Sequence, residues 1–151
     1  MKKIFLIAVL SMVLINCSSD DNNTAQDDFI PQNINFTTIG QGVAIVNLMT
    51  IEQQNIAITN QTDWNQFLES FPHAAEISET DIDFNTFQVI VSIDEERGHT
   101  GHWLEITEII ENENNITVTI AIGEGDSGFT TICQPYHIVK IPKSDKPVIF
   151  E

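Results

Sequence analysis

Positive charge is scarce in this chain of 151 residues: six Lys and Arg stand against 22 Asp and Glu, for a formal net charge of −16. So negative a surface excludes nucleic-acid binding, which draws its affinity from Lys and Arg on phosphates. It equally excludes a basic patch gripping anionic lipid. What acidity supplies is solubility and a bias toward cationic partners or divalent metals. Cysteine is rarer still, with only Cys17 and Cys133. If Cys17 is modified, Cys133 is alone and no intramolecular disulfide can form, so the core must hold the fold. There is no Gly-Lys-Ser phosphate loop, no dinucleotide fingerprint and no internal repeat, which removes the common nucleotide-binding and repeat classes.

Long apolar runs are also missing, except at the start. Lys2 and Lys3 precede an almost unbroken apolar stretch from Ile4 to Ile15, which ends in Leu14-Ile15-Asn16-Cys17. A basic start and a short apolar stretch read as a secretion signal over residues 1–16. The run falls short of the roughly 20 residues a spanning helix needs. The Leu-x-x-Cys ending resembles a bacterial lipobox, which implies that Cys17 is acylated and becomes the mature N-terminus. Each buried methylene of an acyl chain contributes about 0.8 kcal/mol to membrane attachment, so two or three chains anchor durably. Cleavage removes Lys2 and Lys3, leaving four basic residues against 22 acidic ones, a formal charge of −18.

Residues 17–35 are polar, acidic and poor in apolar side chains, and read as a disordered tether. Ser18-Ser19-Asp20-Asp21 is similar to the acidic signal that sends certain bacterial lipoproteins to the cell surface. No Asp directly follows Cys17, as inner-membrane retention would suggest. The expected location is the outer membrane, lipid-anchored, on the cell surface or the periplasmic face.

Residues 36–151 are enough for one domain with its own core. Val43-Ala44-Ile45-Val46 and Ile56-Ala57-Ile58-Thr59 predict strands. Thr62 can cap a helix whose apolar stripe is Trp64, Phe67, Leu68 and Phe71, and Pro72 stops it. The nearly continuous apolar run Phe87-Gln88-Val89-Ile90-Val91-Ser92-Ile93 predicts a central strand covered on both faces. Residues 103–110 and 116–122 flank Glu111-Asn112-Glu113-Asn114-Asn115 as a hairpin, and residues 130–141 and 148–150 add strands. The expected fold is mainly β: an antiparallel β-sandwich or small α+β domain with one amphipathic helix packed on the sheet.

Few residue groups offer chemistry. Gly125-Asp126-Ser127-Gly128 is reminiscent of a trypsin-like nucleophile segment, with His73 and Asp83 earlier in the chain. The domain is too short for a double-barrel protease, so a glycine-rich loop is the better reading. His99 and His102 lie three residues apart beside Asp94, Glu95 and Glu96. Zinc uses such donors, but a turn fixes no ligand geometry, so a solvated loop is preferred and no metal or cofactor is expected. Calcium on the Asp94/Glu95/Glu96 or Glu124/Asp126 loops lacks the twelve-residue pattern. Cys133, between Ile132 and Gln134-Pro135-Tyr136, reads as a buried thiol.

From the helix onward the landmarks resemble the C-terminal domain of the PrcB-like family, named for a lipoprotein subunit of a surface protease complex. The likeness rests on Trp64 to Phe71, Ile82-Asp83-Phe84, Val89-Ile90-Val91, Gly98-His99-Thr100-Gly101, and the closing Pro135-Tyr136-His137-Ile138-Val139-Lys140-Ile141-Pro142-Lys143. In the family's Thr-Gly-Gly-aromatic turn, His102 here takes the place of the second glycine. The resemblance implies a non-catalytic accessory domain that stabilises or docks a protease. The leading expectation is therefore a protein-binding module, not an enzyme, that meets its partner through His99, Thr100, Gly101, His102 and Trp103 and an exposed strand edge. Large aromatics beside such turns commonly anchor interfaces. One rival is a small metal-dependent hydrolase using His99 and His102. A protease-inhibitor-like loop is the other, since chagasin-like inhibitors also present a Thr-Gly-aromatic segment.

Mass spectrometry of the mature protein should find fatty acids on Cys17, and Cys17→Ser should move the protein out of the membrane fraction. An unmodified mature N-terminus would contradict the tether.

Overall fold

In a computed structural model, residues 29–46, 51–126 and 129–151 are described. Cys17, most of the tether and Ser127 lie outside them. Eight strands and one α-helix follow in order: β1 Gln32–Asn33, β2 Thr37–Ile45, β3 Gln54–Ile58, α1 Gln61–Ser70, β4 Phe87–Ile93, β5 His102–Glu111, β6 Ile116–Glu124, β7 Cys133–Pro142 and β8 Val148–Phe150. They form two four-stranded sheets, ordered β1-β5-β6-β8 and β2-β7-β4-β3. This is the expected mainly-β architecture with one packed helix. Among the described residues no helix is long and apolar enough to cross a membrane.

The sheet β2-β7-β4-β3 is the middle of three layers. On one face Val89, Val91, Ile93, Tyr136 and Ile138 pack against Trp64, Phe67, Phe71, Ile77 and Ile82. On the other, Ile90, Val139 and Ile141 meet Ile106, Ile109, Ile116 and Val118 of the second sheet. Both faces of β4 and β7 are covered, which explains why their sequences run apolar instead of alternating.

The helix stripe points inward as its spacing requires, with Trp64, Phe67 and Phe71 buried and Leu68 partly so. Trp64 stacks on Phe67 at 5.5 Å, Phe67 on Phe71 at 5.1 Å, and Phe71 meets the Tyr136 ring edge-on at 5.0 Å. The buried indole N–H of Trp64 donates to Thr80 O at 2.8 Å, as a buried Trp demands. The cap is Asn60, not Thr62: its Oδ1 accepts the Asp63 N–H at 3.0 Å, and its amide donates to Asp63 Oδ2 at 2.7 Å. Asparagine ranks above threonine as a cap, and here it stands one residue before the first turn.

Two boundaries and one strand direction differ from expectation. The ordered chain begins before residue 36: Gln32 and Asn33 pair with Glu111 and Ile110, and Ile34 N–H donates to Ile109 O at 2.8 Å. Ile34 and Phe36 pack on the inter-sheet core, so two apolar residues suffice to draw the end of the tether onto the edge. The strand expected from residue 130 starts at Cys133. And β8 runs parallel to β6, because the chain crosses between sheets after Pro142 and rises beside Ile116.

His137 ties the two sheets together. Its Nδ1 accepts the Ile106 N–H of β5 at 2.8 Å, so Nε2 carries the proton, 2.8 Å from Thr38 Oγ1 of β2. Burial pushes the imidazole below its ordinary value, with Glu105 opposing. The unfolded chain then binds more protons than the folded one between the ordinary value of about 6.5 and the lower folded value. Stability from this group is complete above about pH 6.5 and falls as pH drops through that window. The free-energy advantage of the natural chain over His137→Gln, measured by denaturant unfolding, should therefore shrink from pH 7.5 to pH 5.5. A constant difference would contradict the neutral bridge.

Candidate functional site

The turn between β4 and β5 is held from below. Asp94, at the end of β4, is only 2% exposed, and a buried carboxylate needs a partner. Arg97 supplies it in a bidentate pair, Nε to Oδ2 at 2.8 Å and Nη2 to Oδ1 at 3.1 Å. Those bonds raise the guanidinium above its usual range. Its third nitrogen, Nη1, reaches Glu95 at 3.0 Å. The Arg97 backbone then exchanges two hydrogen bonds with Cys133 of β7, 2.7 and 2.9 Å.

Above this base the chain reverses. Gly125 N–H donates to Gly101 O at 2.9 Å and Thr100 N–H to Phe129 O at 3.3 Å. The Cys133 thiol donates to His99 O at 3.0 Å. Burial pushes that thiol up, away from the thiolate a nucleophile requires, in keeping with a structural cysteine. Segments from three parts of the chain thus fix a turn that its sequence alone leaves free.

The five expected contact residues are contiguous but divide between two faces. His102 pairs with Glu124 across β5 and β6, and Trp103 pairs with Gly123. Successive strand residues point to opposite faces, so His102 shares the face of buried Leu104 while Trp103 stands on the outer one. The turn folds His99 back on His102, ring centroids 4.3 Å apart, and His99 Nε2 lies 2.9 Å from Glu124 Oε1. Trp103 is 43% exposed. Its ring covers Gly123, where an added Cβ would collide with Cζ2 and Cε2; only glycine leaves room.

The carboxylate beside the histidines is Glu124, not the neighbouring acids weighed from the sequence. Asp94 and Glu95 are engaged with Arg97. The protease-like residues are likewise occupied elsewhere: His73 pairs with Glu76 at 2.6 Å, and Asp83 accepts from Asn85 and Thr86 at 3.0 and 2.7 Å. The middle sheet has two edge strands, β2 and β3, and β3 lies beside a groove of about 350 Å³ shared with α1 and lined by Ile56, Ile58 and Phe67.

No protein-family model matches the chain, and no curated protein or solved structure does. The likeness to the PrcB-like family rests on the residues quoted above.

Gly123→Ala should unseat the Trp103 ring and shift its fluorescence to the red, leaving buried Trp64 unchanged. The lost ring contact is partly offset by alanine's lower chain entropy in the unfolded state, so fluorescence is the deciding measurement. An unshifted spectrum would mean that the ring does not rest on Gly123.

Proposed function

We propose that the chain is a cell-envelope lipoprotein whose β-rich domain is a non-catalytic, protein-binding accessory module, stabilising or docking a surface protease. Its anchor is acylated Cys17 in the outer membrane, on the cell surface or the periplasmic face. The observation that carries this reading is Trp103, an exposed aromatic seated on Gly123 beside a turn pinned by hydrogen bonds. A large side chain already held in one place loses little entropy on binding, which is what hot-spot anchors exploit.

Two further features support it. The outer face of β1-β5-β6-β8 has no covering layer among the described residues, and exposes Ile149 as well as Trp103. The chain also joins the fold against Ile110 and Glu111, at the far end of β5 from the turn. Eight residues of strand separate the two ends, roughly 26 Å at about 3.3 Å per residue. The described chain therefore enters at one end of β5 and Trp103 stands at the other. The formal charge of −18 after cleavage favours a partner with a basic surface, which such a field would steer into contact.

The test is affinity capture from the native envelope with the lipidated protein as bait. Trp103→Ala should lose at least about tenfold of the captured partner, the scale of a single hot spot, while its circular dichroism stays unchanged. Equal capture by the protein and this variant would remove Trp103 from the interface.

A further inference from the structure

We propose that His99, His102 and Glu124 form a binding site for one divalent transition-metal ion of the zinc class. One ligand atom from each lies within 4.8 Å of the other two. In a tetrahedral zinc site with bonds of about 2.0–2.1 Å, ligand atoms sit roughly 3.3 Å apart. Side-chain rotation alone has to close the remaining gap. Two imidazoles and one carboxylate are the donor set of zinc sites with three protein ligands, which leave the fourth position open. The same set disfavours calcium, which takes six to eight oxygens, and the nitrogen donors favour zinc, copper or nickel over magnesium.

The backbone under the three ligands is fixed independently of any ion. His102 and Glu124 are opposite one another in the β5–β6 ladder. His99 is held by the Cys133 thiol on its carbonyl, and by its own Nδ1, which accepts the Gly101 N–H at 3.2 Å. That contact leaves the ring proton on Nε2, facing Glu124 Oε1 at 2.9 Å. An ion bound there takes the place of this proton. The proton moves to Nδ1, so none is released from a neutral ring, and the long Gly101 hydrogen bond gives way. Arg97, the cation of this turn, is already paired with Asp94 and Glu95.

His99 and His102 also stand among the expected partner contacts, but metal binding is read on the isolated chain and partner capture through Trp103, so either can fail without the other. The experiment is titration of the metal-free protein with Zn²⁺ against a chromophoric chelator, with Co²⁺ as a spectroscopic probe. One Zn²⁺ per chain is expected, with a rise in the thermal midpoint that a chelator reverses. The Co²⁺ form should absorb in the visible as a four-coordinate site. By nuclear magnetic resonance the ring signals of His99 and His102 should move, and those of His73 and buried His137 should not. His99→Ala, His102→Ala and Glu124→Gln should each weaken binding at least about tenfold, the loss that even an outer-shell change commonly gives. All three side chains are partly or largely exposed, so circular dichroism should report an intact fold in each variant. Zinc bound equally by protein and variants, or displaced equally by Ca²⁺, would assign it to the general acidic surface and overturn the site. No binding at micromolar Zn²⁺ would overturn it too, and in either case capture through Trp103 is untouched.

Discussion

Burial of β4 and β7 on both faces is the constraint from which the rest of the structure follows. Every residue of β4 except Phe87 is buried, as are most of β7, so any polar group on these strands must find its partner inside the protein. The partners are what attach the loops. Ser92 Oγ donates to Asn55 Oδ1 at 2.7 Å, joining β4 to the edge strand β3. Gln134 grips Ile51 from both sides, accepting its N–H at 2.9 Å and donating to its carbonyl at 2.7 Å. His137 crosses to Ile106 of the other sheet. Gln88 Nε2 alone among buried side-chain nitrogens and oxygens of the described residues has no partner, a cost of about 1–3 kcal/mol.

Asp94 belongs to the same series, and through it the constraint reaches the candidate site. A carboxylate at the buried end of β4 captures Arg97, and Arg97 in turn brings its backbone onto Cys133. The turn carrying His99 to Trp103 therefore rests on a charge pair beneath it as well as on the hydrogen bonds of its own backbone. The other three described cations are used in the same structural way. Lys140 pairs with Glu79 at 2.6 Å, Lys143 donates to Phe84 O at 2.7 Å, and Lys146 to Asn112 O at 2.7 Å. Each of these lysines joins segments far apart in sequence, whereas the Arg97 charge closes its own turn, and the acidic excess is left on the surface to set the field a partner or cation meets.

How much of this could be read in advance depends on how local the cause is. The helix stripe and the unbroken apolar run of β4 declare themselves, because one periodicity and one burial pattern suffice. Cys133 reads correctly as buried for the same reason. The pairing of Gln32–Asn33 and the parallel β8 do not, since each is decided by what the segment meets across the fold; the Asn60 cap is local, but Thr62 two residues on offers a competing cap side chain. Glu124 is the instructive omission. It lies 22 residues from His102 in sequence, and only the strand register brings them together.

That register has a counterpart in the hydrophobic pattern of β5. Near the hairpin turn, Glu111 pairs with Ile116, Ile110 with Thr117 and Ile109 with Val118; beyond Ile106 the pairing shifts by one, so that His102 meets Glu124. Continued without the shift, the ladder would set Gly125 against His102 and Glu124 against Trp103. The extra residue is a β-bulge at Thr107, where two outward residues, Thr107 and Glu108, separate inward Ile106 from inward Ile109. The sequence shows the same break: Leu104 and Ile106 alternate, then the period slips at Thr107-Glu108 before Ile109. A one-residue slip moves a whole strand segment relative to its partner. Here it seats Trp103 on the one residue of β6 that can receive its ring, and in the same step gives the two histidines their carboxylate.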